Sequence, residues 1–272
     1  MKDSPFAGRV ALITGGSRGV GLALARGLSE LGSKVVIAAR GEARLQDSLE
    51  KLQAAGAEAA AVVGDVGRWD DAQRMADAAL TKFGRLDILI NNAGVSMRGD
   101  FAELSPAVVD RVLMTNLAGP LNLSRLALPQ LIAARGSLVF ISSIAGLFGL
   151  PGASVYCATK KALSGLAESL RIELAGTGVH VGVVYLGFTE HDPEKRILAA
   201  DGALVLPDRP AHLTQARAAE QIIKMIQDRR RQLIMSPAGK VGAIVYRLSP
   251  LILEKTIVWA KQSQWGIFKK FS

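Results

Sequence analysis

Short, β-rich apolar runs alternate with helix-period segments through most of this 272-residue chain. Candidate strands are Val10–Thr14, Lys34–Ala38, Ala59–Val63, Asp87–Asn91, Ser137–Ile141, His180–Tyr185 and Gln232–Met235. Between them lie segments with helical periodicity, among them Gly19–Leu31, Glu42–Ala55, Asp70–Phe83, Ala153–Ala175 and Gln215–Asp228. A strand that is apolar throughout must be covered on both faces, and a parallel strand needs a helical crossover. The alternation therefore predicts an α/β fold: a doubly wound, seven-stranded parallel sheet with helices on both faces. No Pro- or Ser-rich linker and no internal repeat divides it. The expected organisation is one unit over residues 1–236, with a helical extension over 237–272.

Composition narrows the function classes. A single cysteine, Cys157, forms no internal disulfide and reads as a small buried residue. With three histidines beside it, no metal site is expected. The first sixteen residues hold only a five-residue apolar run, which is too short for a signal peptide, so a cytoplasmic location is expected. The net charge of +9 suggests nucleic acid until it is located. Residues 1–221 carry 23 Lys/Arg and 22 Asp/Glu, whereas residues 222–272 carry 10 and 2, so the basic balance belongs to the C-terminal end. No nucleic-acid recognition motif accompanies it. The uncharged run from Gly136 to Thr159 has spanning length, but its four glycines, four serines and Pro151 favour a strand, a loop and a helix start.

The first strand runs into Thr14-Gly15-Gly16-Ser17-Arg18-Gly19-Val20-Gly21, and a helical pattern follows at once. Glycines there allow a tight turn and close approach of a pyrophosphate to a helix N-terminus, the dinucleotide site of a Rossmann-like fold. At the end of the second strand stands Ala38-Ala39-Arg40, with no acid before Glu42. A carboxylate there would select NAD. Arg18 and Arg40 instead suit the 2′-phosphate of NADP(H), unless both are merely solvated surface cations.

Four residues could carry chemistry: Asn116, Ser143, Tyr156 and Lys160. Tyr156 and Lys160, four apart on an expected helix, share one face. A phenol with an ammonium one turn away is a candidate general acid/base, and Ser143 could donate a hydrogen bond to a substrate oxygen. Alone, Tyr-x-x-x-Lys marks no more than a helix face; its company gives it meaning.

Taken together, these pieces resemble the short-chain dehydrogenase/reductase family over about residues 8 to 235. The matching motifs are the glycine turn from Thr14 to Gly21, Asp65-Val66, Asn91-Asn92-Ala93-Gly94, Asn116, Ile141-Ser142-Ser143 and Tyr156-Cys157-Ala158-Thr159-Lys160. The resemblance implies hydride transfer between a nicotinamide and a carbonyl carbon, with Tyr156 supplying the proton and Ser143 polarising the carbonyl. In that family the serine lies thirteen residues before the tyrosine, so the resemblance selects Ser143 over Ser142. It also implies that Asp65 contacts the adenine, that Asn92-Ala93-Gly94 lines the cofactor, that Lys160 binds the nicotinamide ribose, and that Asn116 holds a water in a proton relay. A homo-oligomer, dimer or tetramer, is implied likewise. The chain departs from the family after the sixth strand. Leu186 stands where the family has proline, and His191 where it has a threonine; Thr189 is the nearby substitute. A substrate loop is expected from about Glu190 to Leu213.

The expected pocket wall is Val95, Met97, Phe101, Ile144, Leu147, Phe148, Leu150 and Tyr185, which suits a hydrophobic, lipid-like or steroid-like carbonyl or alcohol. A 3-oxoacyl-thioester reductase and a non-catalytic cofactor-binding regulator are the alternatives. His191 and His212 could touch substrate or stand idle on the loop. In the extension, Lys240, Arg247, Glu254 and Lys261 recur every seven residues and leave a broad apolar helix face, with Pro250 set to kink or divide it. Trp259, Trp265, Phe268, Lys269, Lys270 and Phe271 follow. This pattern fits a helix lying on an anionic membrane surface, and it also fits a subunit contact.

Overall fold

The structure, a computed structural model, describes residues 4–190, 195–207 and 213–263. His191 and His212 lie outside the described residues, as do Trp265, Phe268, Lys269, Lys270 and Phe271.

Strands and helices alternate from the start: β1 (Val10–Thr14), α1 (Gly19–Glu30), β2 (Lys34–Ala39), α2 (Glu42–Ala54), β3 (Ala59–Val63), α3 (Trp69–Phe83) and β4 (Ile88–Asn91). A helical pair follows, α4 (Pro106–Leu113) and α5 (Gly119–Ala133), joined by a π-turn over Met114–Ala118. Next come β5 (Ser137–Ser143), α6 (Ser154–Glu173), β6 (His180–Leu186), a two-stranded hairpin of β7 (Ile197–Leu198) and β8 (Leu204–Val205), α7 (Gln215–Gln227) and β9 (Gln232–Ile234). The extension forms α8 (Pro237–Leu248) and α9 (Pro250–Gln262). Pro250 divides the two, as a residue without an amide donor is tolerated in a first helical turn.

Seven strands make one parallel sheet in the order β3-β2-β1-β4-β5-β6-β9. Strand parity explains the two covered faces. Ala11 and Ile13 of β1 enter one core with α1, α2 and α7, where Leu24, Leu45 and Ile222 are almost wholly buried. Val10 and Leu12 point the other way, to Met75, Leu123 and Leu163 of α3, α5 and α6. Each such leucine or isoleucine contributes roughly 1.5–3 kcal/mol by leaving water. The uncharged Gly136–Thr159 run resolves into β5, a 3₁₀ turn at Ile144–Gly146 and the start of α6. Among the described residues no helix is long and apolar enough to cross a membrane.

The chain winds one way from β1 to β3 and the other way from β4 onward, so the crossovers diverge between β1 and β4. A doubly wound sheet opens a crevice at the carboxyl ends of the strands at such a point.

Candidate active site

A cleft of about 490 Å³ occupies that crevice. Its floor is tied together by two side chains from the ends of β1 and β4. Thr14 Oγ1 accepts hydrogen bonds from the Asn92 and Ala93 amides, both at 3.0 Å. Asn92 Nδ2 donates back to the Thr14 carbonyl at 2.8 Å. The glycine turn then bends away with φ +66° at Gly15 and +58° at Gly19, a region where a side chain is strained. Gly21 is needed for closeness instead: a Cβ there would overlap the Gly15 carbonyl oxygen and lie 2.6 Å from Asn92 Nδ2. Helix α1 starts behind Arg18 with no side-chain cap, so its first amides face the cleft.

Every residue expected to hold the cofactor borders this cleft: Gly15, Ser17, Arg18, Gly19, Val20, Gly21, Arg40, Asp65, Val66, Asn92, Ala93, Gly94, Tyr156, Lys160 and Thr189. Arg40 Nη1 sits 3.5 Å from Asp65 Oδ2 at one end. Asp65 Oδ1 also accepts from the Gly67 amide at 3.0 Å, which fixes the turn after β3. Thr115 Oγ1 is buried at the cleft wall with no hydrogen-bond partner among the described residues. An uncapped helix N-terminus, a glycine turn that a Cβ would crowd and an orphaned hydroxyl together fit a dinucleotide.

The chemical residues converge at the other end. Lys160 is buried on α6, and its Nζ donates to the Ile141 carbonyl at 2.9 Å. It lies 5.8 Å from the centre of the Tyr156 ring. Burial, and then the positive charge of Lys195, push the Lys160 ammonium down to a pKa of about 8. A Cβ on Gly94 would lie 3.3 Å from Asn116 Oδ1 and 3.4 Å from Lys160 Nζ, so both side chains close on the β4 loop. Asn116 itself is fully buried in the π-turn and lines neither cavity. Its Oδ1 accepts from the Val95 amide and its Nδ2 donates to the Val95 carbonyl, each at 2.8 Å, clamping the loop that carries Gly94. The π-turn is what points an otherwise helical side chain at that loop.

A second cavity, about 420 Å³, adjoins the first. Tyr156 borders both. Ser143 lines the second at the end of β5, where its Oγ accepts from the Ala145 amide at 3.3 Å. The remaining wall is mainly apolar: Met97, Ile144, Leu150, Phe188, Ile197, Val205, Leu206 and Pro207, with Arg98 and Asp100 among them.

The short chain dehydrogenase family model matches residues 9–201. The chain belongs to that family. It is 30% identical over 259 residues to "Ketoacyl reductase HetN" of Nostoc sp. (strain PCC 7120), covering 93% of this chain and 89% of that one. A short-chain dehydrogenase/reductase from Burkholderia phymatum, solved in complex with NAD, superposes with a TM-score of 0.81 at 27% identity, covering 91% of this chain and 95% of that chain. A metagenomic short-chain oxidoreductase solved with NADP gives 0.71 at 31% identity, over 85% and 98% of the two chains. The protein is thus an oxidoreductase of the CH–OH/C=O type with a nucleotide-binding Rossmann-like fold.

Some expected wall residues of the pocket stand elsewhere. Tyr185 points away from the second cavity: it is buried in the core under α6, its Oη 2.9 Å from Ser164 Oγ. Strand parity is the reason, since Leu186, the next residue on β6, takes the cleft side. The Phe148 ring packs against Gly242 of α8 instead of the cavity. Phe101 is 70% exposed, and Leu147 joins the core beneath α6. Val95 borders the cofactor cleft, while Met97, Ile144 and Leu150 do line the second cavity. The β7–β8 hairpin wall went unread, although Asp201-Gly202 between apolar pairs is a hairpin signal. Backbone bonds on either side of Met97, Arg98 amide to Leu198 carbonyl (2.8 Å) and Leu198 amide to Ser96 carbonyl (2.9 Å), pin that hairpin over the cavity. Arg44, in the first turn of α2 and bordering the cofactor cleft, also went unread.

Proposed function

We propose that the protein is an NADP(H)-dependent carbonyl reductase, or the reverse alcohol dehydrogenase, for a hydrophobic, lipid-like or steroid-like substrate. The observation that carries this is the position of Tyr156, which faces the dinucleotide cleft and the apolar cavity at once. Arg18, Arg40 and Arg44 border the cleft together with Asp65, and the other carboxylate among its described lining residues, Glu190, stands after β6 beside Thr189. That is a cationic setting for a 2′-phosphate. Asp65 would then serve the adenine, and Thr189 the nicotinamide side.

When bound, the nicotinamide exchanges a hydride with the carbonyl carbon. The protein's part is positional and protic. Ser143 Oγ donates to the substrate oxygen and polarises it, and Tyr156 Oη delivers the proton that the new alkoxide needs. Lys160, held by the Ile141 carbonyl, keeps a positive charge beside the phenol and would hold the nicotinamide ribose of a bound cofactor. Its pKa, lowered to about 8 by burial, keeps it charged near neutral pH yet brings proton exchange within closer reach than for an ordinary lysine, which suits a relay through Asn116 and water. Met97, Ile144, Leu150 and Phe188 exclude water from the reacting oxygen. Val95 carries the cofactor loop into this junction.

The same reading makes the protein a cytoplasmic homo-oligomer, dimer or tetramer. Exposed Leu113, Met114 and Leu121 around the α4–α5 junction offer apolar surface for that. It also gives residues 1–236 the catalytic work, and the 237–272 extension peripheral contact with the cytoplasmic face of a membrane.

A second reading, a 3-oxoacyl-thioester reductase, draws on the ketoacyl reductase likeness and on Arg98 in the cavity wall. The test is to incubate wild type and Tyr156→Phe with a lipid extract and with 3-oxoacyl thioesters, supplying NADPH or NADH. A lipid species that gains two hydrogens with NADPH and wild type alone supports the proposal. Turnover of thioesters only moves the assignment to the second reading. Cofactor binding without any Tyr156-dependent product points to a regulator.

A further inference from the structure

Helix α8 has two unlike sides. One is docked on the catalytic body through small residues: a Cβ on Gly239 would lie 2.9 Å from Ile144, and one on Gly242 would lie 2.6 Å from the Phe148 ring. Tyr246 continues this side, with its hydroxyl 2.8 Å from Lys161 Nζ, next to Lys160. The other side carries Val241, Ile244 and Leu248, exposed by 62%, 60% and 80%. Their i, i+3, i+7 spacing holds them within roughly 60° of helical arc. Lys240 and Arg247, also seven apart, run beside that stripe. Helix α9 packs on α8 and leaves Leu251, Ile252, Val258 and Trp259 exposed, with Lys255 exposed and Lys261 half-buried. Glu254 is the one acid between Pro237 and Ser263.

We infer that the α8–α9 hairpin is a docking surface for an anionic lipid bilayer. The apolar side chains enter the headgroup–acyl boundary and the cations meet lipid phosphates. An apolar stripe flanked by Lys and Arg is the pattern of a helix lying in that boundary, and a tryptophan suits a site that is half apolar and half wet. Neither helix has spanning length, so the contact is peripheral. Charge separates this occupant from a second copy of the chain. Two such faces would bring four cations and one acid against the same set, whereas lysines are depleted from subunit interfaces. An anionic surface satisfies them all. The docked side of α8 leans on Ile144, which is adjacent to Ser143 and lines the apolar cavity, so membrane contact is made one layer behind the substrate site.

The inference rests on the membrane contact proposed above and not on the chemistry, and its test is independent of turnover. The full chain is floated with phosphatidylserine/phosphatidylcholine vesicles and with phosphatidylcholine alone, and its mass in solution is measured by light scattering. Wild type should float with the anionic vesicles and lose binding as salt rises. Lys240→Gln with Arg247→Gln should weaken binding on the order of thirtyfold. Leu248→Asn with Ile252→Asn should weaken it more than tenfold at any salt. Ile172→Asn, an exposed apolar residue on α6, should leave it unchanged. NADPH protection against thermal unfolding checks that each variant is folded. Absence of flotation, equal flotation of the Leu248/Ile252 variant, or a fall in oligomer mass in that variant without vesicle binding overturns the inference. The last result would make the face a contact between copies.

Discussion

Replacing Lys160 with methionine should stabilise the cofactor-free protein while abolishing its catalysis. The wild-type ammonium is buried, and its pKa stands near 8 against 10.5 for an ordinary lysine. At about 1.4 kcal/mol per pH unit, that gap costs the native state about 3 kcal/mol wherever the lysine is charged both folded and unfolded, that is, below about pH 8. Methionine has nearly the same length and no charge to desolvate. It forfeits the hydrogen bond to the Ile141 carbonyl, a loss of about 1 kcal/mol. The net gain at pH 7 is about 2 kcal/mol, or 3–4 °C in Tm at about 2.1 cal/mol/K of unfolding entropy per residue. Between about pH 8 and 10.5 the unfolded wild type binds more protons than the folded one, so wild-type stability rises with pH through that window. The advantage of the variant should accordingly shrink by about 1 kcal/mol from pH 7 to pH 9. Urea unfolding of both proteins without cofactor at the two pH values measures this. A variant less stable than wild type at pH 7, or an advantage independent of pH, would refute the reasoning.

Other perturbations test neighbouring parts. Gly21→Ala drives a methyl group into the Gly15 carbonyl and Asn92, so dinucleotide affinity by calorimetry should fall at least tenfold; unchanged affinity would remove the glycine turn from the cofactor site. Arg40→Asp breaks the pair with Asp65 and sets a carboxylate at the ribose end, which should shift the NADPH-to-NADH affinity ratio by roughly 10- to 100-fold toward NADH. An unmoved ratio would detach Arg40 from the 2′-phosphate. His180 is buried with its pKa held below 6.5, chiefly by desolvation, and its Nε2 donates to the Arg230 carbonyl at 2.8 Å. The unfolded chain therefore takes up this proton first, and wild type should lose stability as pH falls below 6.5; His180→Gln should flatten that slope between pH 7 and 5.

The nucleotide side was legible in the sequence because backbone geometry leaves little choice there. A turn with positive φ at Gly15 and Gly19, and a contact at Gly21 that admits no Cβ, can be written with few residues. The i, i+4 pair of Tyr156 and Lys160 was readable for a similar reason, since a helix period is local. Substrate walls are set by long-range packing instead. Tyr185 fell on the wrong side of β6 through a parity of one residue, and Phe148 was claimed by a helix nearly a hundred positions away. Asn116 was readable as a residue, but the π-turn that aims it at Val95 is marked only by Gly119-Pro120 directly after it, where Pro120 has no amide to offer the Asn116 carbonyl. In the extension, Pro250 marked the break between α8 and α9, whereas the Gly239 and Gly242 contacts that fix the docked side of α8 appear only in three dimensions.

Isotope transfer tests the central claim, that Tyr156 is the proton donor in a hydride exchange with a nicotinamide. NADPH carrying deuterium at the transferring position of its nicotinamide ring is incubated with a hydrophobic ketone or 3-oxoacyl thioester turned over by the wild type. The account predicts one deuterium on the carbinol carbon of the product, formed at least a hundredfold more slowly by Tyr156→Phe although NADPH affinity is kept. Label in the product at wild-type rate from Tyr156→Phe, or product without label, would contradict it.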